Sequence, residues 1–184
     1  SVIPYVLGGV NKDYENNTST KFKRDIGADA KIGITSSLNL DLTVNPDFSQ
    51  IEVDKQVTNL DRFELFFPER RQFFLENADL FANFGYSTIR PFFSRRIGLG
   101  VPIEFGARLS GSLNKKWRIG AMDMQTKSMD GTGLPAQNFA VLALQRRVFS
   151  RSNIRFMFVN KQSLNYDPAQ HPGKPVYNAF NRNI

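Results

Sequence analysis

Two neighbouring segments near the N-terminus alternate between apolar and polar residues. In FKRDIGADAKIGI, residues 22–34, every second position is apolar except Arg24, and the residues between them are mostly charged. In SLNLDLTVN, residues 37–45, the same alternation continues. A period of two residues is typical of β-strands that have one apolar and one polar face. The sequence therefore predicts two adjacent strands joined by residues 35–37.

The two strands can be aligned by keeping their apolar residues on one face. The loop then comprises residues 35–37, a common hairpin length. A slip by one residue would scramble both faces, so the register is well specified. The predicted pairs are Ile34 with Leu38, Ile32 with Leu40, Ala30 with Leu42 and, on the polar face, the oppositely charged Lys31 with Asp41.

Further strands are predicted at residues 2–10, 103–111, 117–126, 138–148 and 153–161. The segment 103–111 alternates well, with Ile103, Phe105, Ala107 and Leu109 apolar. The faces of 117–126 stay unassigned. The segment 138–148 is apolar on both faces, so a helix remains an alternative there.

The connections between these predicted strands alternate in length. Short links are 35–37, 112–116 and 149–152, whereas the long polar links are 11–21, 45–102 and 127–137. Outer-membrane β-barrels have short periplasmic turns and long outer loops. A soluble β-sandwich or small barrel would show the same strand pattern, because inner and outer faces look identical in sequence. The charged alternate positions suit a wide, wet lumen or a solvated surface.

Composition excludes several other classes of protein. The chain has 184 residues, no Cys and one His, so a disulfide or a Cys-ligated metal site is excluded, and we expect no metal and no cofactor. Its net charge of +7 comes from scattered Lys and Arg without a nucleic-acid-binding motif, so nucleic acid is not an expected partner. No apolar run approaches the ~18 residues that a membrane helix requires.

The longest link contains the most unusual stretch of the chain, RFELFFPERRQFFLENADLF at residues 62–81. It is too charged for an ordinary core helix and too aromatic for a disordered loop. We expect residues 46–101 to form an ordered insertion that fills or caps the lumen, with a short helix from Thr58 or Asn59 to Phe67, interrupted at Pro68. Its acids are expected to pair with arginines or with charges on the barrel wall.

The residues that we assign to this plug or binding insertion are aromatic or charged. They are Phe63, Phe66, Phe67, Glu69, Arg70, Arg71, Phe73, Phe74, Glu76, Arg95 and Arg96.

Catalysis by the acids of the insertion is an alternative. The weak candidates are Glu64, Glu69 and Glu76, because glycoside hydrolysis uses two carboxylates roughly 5–10 Å apart. Acids among so many arginines are more often salt-bridged structure. The sequence has no nucleophile elbow, phosphate-binding loop or zinc motif, so we do not expect an enzyme.

Three blocks of the sequence resemble the signature of a bacterial family: GADAKIGITSSLNLDLTVNPDFSQIEVD, NLDRFELFFPERRQFFLENADLF and PFFSRRIG. They are similar to an uncharacterised family of outer-membrane β-barrels, in which the barrel usually follows a domain similar to carbohydrate-binding module family 9. The resemblance implies an all-β, antiparallel up-and-down transmembrane β-barrel in the outer membrane of a Gram-negative-type bacterium. Some members are labelled as sugar-binding proteins or membrane-associated hydrolases, a label that rests on the accessory domain.

We therefore expect residues 1–184 to be part of one outer-membrane β-barrel domain. Single-chain bacterial barrels have an even number of strands, and the sequence after residue 161 predicts no closing strand. Further strands or other chains would then complete the seven predicted strands, since open sheet edges do not occur in lipid. The expected lipid-facing residues are Ile26, Ala28, Ala30, Ile32, Leu38, Leu40 and Leu42.

The expected function is that of a plugged pore, or of a surface component linked to glycan binding or uptake or to a larger outer-membrane complex. Its expected partners are outer-membrane lipid, glycan and other outer-membrane proteins. The alternatives are a membrane-associated carbohydrate-active hydrolase and a soluble β-sandwich or barrel that serves as a binding module.

Overall fold

The structure is a computed structural model that describes residues 1–11, 21–46, 68–82, 84, 90–98, 101–128, 134–164 and 180–183. Within them, eight strands form one antiparallel sheet in sequential, up-and-down order. The strands are β1 Val2–Asn11, β2 Lys21–Thr35, β3 Leu38–Val44, β4 Ile103–Ser112, β5 Trp117–Thr126, β6 Ala136–Arg147, β7 Asn153–Leu164 and β8 Phe180–Asn183. The helices are α1 Gln72–Leu75 and α2 Asp79–Ala82, with a 3₁₀ turn at Ser94–Arg96.

All seven predicted strands are present, and the helical alternative for residues 138–148 is wrong because β6 spans Ala136–Arg147. The tail, for which the sequence predicts no closing strand, does contain one short strand, β8, which extends the described sheet without closing it. The strand β8 pairs with the last part of β7, where Phe180 lies opposite Gln162. Its four residues are too few to give a recognisable alternation. Within the described residues the sheet is open, since β1 pairs only with β2 and β8 only with β7.

The hairpin of β2 and β3 follows the predicted register with one correction. A β-bulge between Gly33 and Thr35 places Thr35, rather than Ile34, opposite Leu38. The turn is therefore residues 36–37 instead of 35–37. The Thr35 hydroxyl accepts a hydrogen bond from the Ser37 backbone at 3.2 Å and so stabilises the tighter turn. The confirmed pairs are Ala30 with Leu42, Lys31 with Asp41 and Ile32 with Leu40.

The two ends of the sheet differ in their connections. At one end, which we call the short-turn end, the links are 36–37, 113–116 and 148–152. At the other, the long-link end, they are 12–20, 45–102, 127–135 and 165–179. The predicted alternation of short and long links is confirmed and extends to β8.

One face of the sheet is predominantly apolar. The strand registers place apolar side chains from seven strands on it, and we call it the apolar face. Val6, Phe22 and Ile26 on this face are 78%, 76% and 74% exposed. Its apolar residues include Val2, Pro4, Val6, Val10, Phe22, Ile26, Ala28, Ala30, Ile32, Leu38, Leu40, Leu42, Val44, Phe105, Ala107, Leu109, Ile119, Ala121, Ala140, Leu142, Leu144, Ile154, Phe156 and Phe158.

The opposite face, which we call the inner face, mixes polar residues with a few large apolar ones. The described residues of the 46–101 link pack on it, and the hydrophobic core lies between them and the sheet. Ile103 belongs to this core because a bulge between Ile103 and Phe105 separates it from the alternation of β4. The buried core residues are Phe74, Leu80, Phe81, Ile97, Ile103, Met122, Met124, Phe139, Val141, Ala143 and Met157.

The apolar residues assigned from sequence to a lipid-facing surface share one face of β2 and β3. Six of the seven are partly or largely exposed, whereas Leu38, next to the turn, is buried. Among the described residues, no helix is both long enough and apolar enough to cross a membrane.

Candidate functional site

The candidate site lies where the described residues of the long link meet the inner face. These residues are 68–82, 84 and 90–98, and we call them the docked insertion. The structure gives them two one-turn helices and a 3₁₀ turn. The predicted helix that begins at Thr58 or Asn59 and reaches Phe67 lies outside the described residues.

A buried ion pair connects the two parts of the docked insertion. The Arg71 guanidinium donates to both oxygens of Glu69, at 2.9 and 2.8 Å, and the side chains are only 8% and 12% exposed. It also donates to the backbone oxygens of Ser94 and Ile97, at 2.6 and 2.7 Å. The ring of Phe74 lies 4.2 Å from the same guanidinium. Arg71 therefore joins the segment that begins at Pro68 to the 3₁₀ turn.

The Glu69 carboxylate is fully engaged in this network. One oxygen also accepts hydrogen bonds from the backbone nitrogens of Arg70 and Arg71, and the other accepts from the Ser94 hydroxyl. Burial raises the pKa of Glu69. Hydrogen bonds from Arg71 and Ser94, together with the charge of Arg71, lower it by more than burial raises it, so the pKa lies below its ordinary value of 4.5. A carboxylate held ionised in this way is a poor proton donor.

Two further acids of the docked insertion bind cations on the inner face. Glu76 forms an ion pair with Lys31 of β2 and accepts from the Asn39 amide of β3 at 2.7 Å. Asp79 accepts two hydrogen bonds from Arg118 of β5, at 2.6 and 3.1 Å. The hydrogen bond from Lys31 lowers the pKa of Glu76, and that from Arg118 lowers the pKa of Asp79. The expected pairing of acids with wall charges is therefore present for both residues.

A polar contact between these ion pairs fixes the link between the two helices. Asn77 adopts a left-handed backbone conformation with φ of 47°, which asparagine tolerates better than most residues. Its side-chain amide donates to the Ser110 hydroxyl of β4 at 3.1 Å. Together with Glu76 and Asp79, Asn77 places the docked insertion across four neighbouring strands, β2 to β5.

Aromatic packing supplies the apolar part of the contact. The Phe81 ring lies directly on Gly120 of β5, where an added Cβ would stand 2.6 Å from the ring. The rings of Phe81 and Phe92 are 6.1 Å apart, and those of Phe73 and Phe74 meet edge to face at 5.2 Å. The absence of a side chain at Gly120 thus allows the insertion to approach the sheet closely.

A buried arginine lies beneath the docked insertion. Arg108 of β4 is 1% exposed, donates to the backbone oxygen of Phe73 and lies 5.4 Å from the Phe81 ring centre. Across the strand pair it faces Asp41. One terminal nitrogen of Arg108 and one oxygen of Asp41 are buried without a hydrogen-bond partner among the described residues. The contact is therefore well packed in its apolar part and incompletely paired at these two charged groups.

The docked insertion and the sheet enclose a small cavity. Its volume is about 110 Å³, and its walls carry Glu69, Arg90, Arg108 and several aromatic rings. Since one water molecule occupies about 30 Å³ of liquid, the space suits a few waters rather than a large ligand.

The residues assigned to the insertion from sequence divide into three groups. Glu69, Arg71, Phe73, Phe74 and Glu76 lie in the contact with the sheet or hold the insertion together. Arg95 donates to the Pro68 backbone oxygen at 2.8 Å, and Arg70 and Arg96 are exposed. Phe63, Glu64, Phe66 and Phe67 lie outside the described residues.

Several contact residues on the sheet were not identified from sequence. They occupy alternate positions of β3, β4 and β5 that face away from the apolar face. The alternation of the strands places these residues on the inner face. They could have been identified from sequence if it had been known that the insertion covers that face. They are Asn39, Arg108, Ser110, Arg118 and Gly120. No group of three metal-ligating side chains occurs among the described residues.

The docked insertion and the first four strands lie in a region with a family match. The model of a domain of unknown function, DUF5916, matches residues 1–117. The chain belongs to this family. No curated protein and no solved structure shows a significant match to this chain. The DUF5916 match covers all three blocks that resemble the barrel family and most of the contact residues described above, although Arg118 and Gly120 follow its end.

Replacing Glu69 with Gln should loosen the docked insertion. The change leaves Arg71 buried without its counter-charge, which we expect to cost about 3 kcal/mol. Denaturation can be followed by a fluorophore attached at Leu75→Cys, since the chain has no native cysteine. Glu104→Gln is the matched control because Glu104 is exposed, and it should change stability by less than about 0.5 kcal/mol. Equal losses in both variants would contradict a specific role for the ion pair.

The same ion pairs predict that docking is sensitive to acid. The pKa values of Glu69, Glu76 and Asp79 are lowered in the folded state, so their contribution is complete above the ordinary values of 4.5 and 3.8 and is lost as pH falls through the lower folded values. Denaturation with the same fluorophore should therefore show weaker docking at about pH 3 than at about pH 7. The Glu69→Gln variant should show a smaller pH effect; an identical profile would contradict this assignment.

Proposed function

We propose that this DUF5916 member is part of an outer-membrane β-barrel whose lumen is filled by the docked insertion. The observation that carries the proposal is the distribution of the two faces. The apolar residues of the apolar face are exposed or partly exposed on all seven strands except at Leu38, whereas the face that carries Lys31, Asp41, Arg108 and Arg118 is the one covered by chain. A soluble domain would bury its apolar face, so this arrangement favours lipid as the missing partner.

Polar residues at the borders of the apolar face support this proposal. Towards the long-link end the same face carries Asp123, Asn138, Asn160 and Gln162, and Asp123 accepts from Asn138 at 3.0 Å. Arg24 interrupts the apolar face between Phe22 and Ile26. Towards the short-turn end the face carries Trp117 and Arg146, whose guanidinium lies 5.2 Å from the indole ring. Aromatic and polar residues that flank an apolar band are typical of the two interfaces of a membrane barrel.

The link lengths give the proposed barrel an orientation. Short turns lie on the periplasmic side of bacterial outer-membrane barrels and long loops on the outside. The short-turn end of this sheet would then face the periplasm, and the long-link end would face outward. Because unpaired strand edges are not tolerated in lipid, the proposal includes further strands or a second chain that pair with β1 and β8.

The proposal assigns the acids of the insertion to docking rather than to catalysis. Glu69 and Glu76 are engaged with Arg71 and Lys31, and the lowered pKa of each carboxyl group favours the ionised form, which suits an ion pair better than a general acid. A plugged pore or an anchored surface component uses such ion pairs to hold the insertion in the lumen. The proposed partner is outer-membrane lipid, and the same proposal extends to glycan or to other proteins of a larger outer-membrane complex.

An arginine on the apolar face should destabilise the protein in lipid. We expect Ala30→Arg or Leu40→Arg to cost about 2–4 kcal/mol near the middle of the membrane. Ser36→Arg, in the exposed turn of the same hairpin, is the control and should cost less than about 0.5 kcal/mol. The free energy of unfolding in lipid vesicles is measured for the apolar-face variants and for the control. If the protein is soluble without detergent and Ala30→Arg leaves its stability unchanged, the result would support the alternative of a soluble binding module.

Removal of the insertion should open the proposed pore. In the full-length natural protein, replacement of residues 60–90 by a short Gly/Ser linker should raise ion conductance across a planar bilayer. Shortening of residues 12–20, another link at the same end, is the control and should leave conductance nearly unchanged. If the 60–90 variant folds and conducts no better than the parent, the insertion would instead be a binding surface for another protein.

A further inference from the structure

A second cavity opens at the short-turn end, away from the docked insertion's aromatic contacts. Its volume is about 540 Å³, and its walls come from the turns 36–37 and 113–116 and from nearby ends of β4 to β7. Arg118 and Gln145 on its wall belong to the inner face of the sheet. Pockets that bind small organic ligands usually measure about 300–1,000 Å³, so this cavity has a suitable size.

The charge of this cavity is one-sided. Lys115, Lys116, Arg118 and Arg147 line it, and among the described residues of its lining there is no aspartate or glutamate. The nearby Asp79 contacts Arg118 with both of its oxygens, so it compensates only that cation directly. Several like charges around one concave space repel one another and create a positive potential there. Binding of an anion would lower this repulsion.

The cavity also offers neutral hydrogen-bond donors. Hydroxyl groups of Ser36, Ser37 and Ser112 and the side-chain amides of Gln145 and Asn153 lie on its wall. Hydroxyls and amides beside cations can bind anionic oxygens and ligand hydroxyls together. This mixture suits an oxygen-rich ligand better than a hydrophobic one.

The wall is held in place by backbone contacts between neighbouring turns. The backbone nitrogen of Ser112 donates to the backbone oxygen of Ser37 at 2.7 Å. The backbone nitrogen of Arg147 donates to the backbone oxygen of Lys116 at 2.8 Å. The Asn114 side chain accepts from the backbone of Lys116 and Trp117, at 2.9 and 3.0 Å. These contacts fix the backbone from which the donor side chains extend, which lowers the entropy cost of assembling the wall around a ligand.

We propose that this cavity binds a small polyanion that carries phosphate or carboxylate groups, with hydroxyl groups on the same molecule. Lys115, Lys116 and Arg147 would bind the anionic groups, while the serines and amides would bind the hydroxyls. The proposal rests on the cavity alone and does not require the sheet to span a membrane. A failure here would therefore leave the proposed barrel intact, and the reverse is also true.

Binding to the full-length protein can be measured by calorimetry with three probes. Trigalacturonate carries carboxylates and hydroxyls, pyrophosphate carries phosphate alone, and neutral maltotriose is the control. We expect one or both anions to bind, with affinity that falls as salt rises, and maltotriose to bind at least about tenfold more weakly than the better anion. The relative affinities of the two anions identify the preferred group. Failure of both anions to bind, or equal binding of maltotriose, would overturn the proposal.

Matched variants locate the binding to the cavity. Lys116→Gln/Arg147→Gln removes one lysine and one arginine from the wall, and we expect it to weaken binding at least about tenfold. Lys127→Gln/Arg151→Gln removes the same charges from exposed positions outside the lining and should change affinity by less than about twofold. If the first variant does not fold, Lys115→Gln/Lys116→Gln replaces it. Equal affinity in the wall and control variants would place binding elsewhere and overturn the proposal.

Discussion

The ion pair between Glu69 and Arg71 is the contact on which the described insertion depends. It joins two parts of the long link that have little regular structure of their own, since each helix has only one turn. The Arg71 guanidinium donates to the Glu69 carboxylate and to two backbone oxygens of the 90–98 segment, and it lies over the ring of Phe74. Segments with so little secondary structure acquire a defined shape through side-chain contacts, and the phenylalanines can then pack on the sheet in one arrangement.

The sheet contributes the second constraint, which is that its two faces differ in chemistry. On the inner face, cations of β2 and β5 bind Glu76 and Asp79, and Gly120 leaves room for Phe81. The apolar face has no cover among the described residues, and the proposed barrel assigns lipid to it. At the short-turn end the inner face continues into a cationic cavity that the described insertion does not line.

The sequence predicted the parts of the fold that depend on alternation. The strands β2, β3 and β4 and most of the β2–β3 register follow from a period of two residues, because successive side chains of a strand point to opposite faces. The strand β6 is apolar on both faces, so the same period did not distinguish it from a helix. The bulges near Gly33 and Ile103 were missed because a bulge interrupts the period without a residue that marks it. In the insertion, Glu69 and Arg71 were identified as members of the site, but their mutual pairing and the contacts of Arg108 and Arg118 depend on tertiary positions that spacing does not encode.

The span of the docked insertion across the sheet has a consequence for the order of folding. Glu76 contacts β2 and β3, which precede it in the chain, whereas Asp79 contacts β5, which follows it by about forty residues. Its surface for docking therefore exists only after strands from both sides of the insertion have come together. Contacts between residues far apart in sequence form slowly, because the intervening chain must first lose entropy. The insertion should thus reach its native position late, after β2 to β5 have paired, and its phenylalanines would stay accessible to chaperones until then.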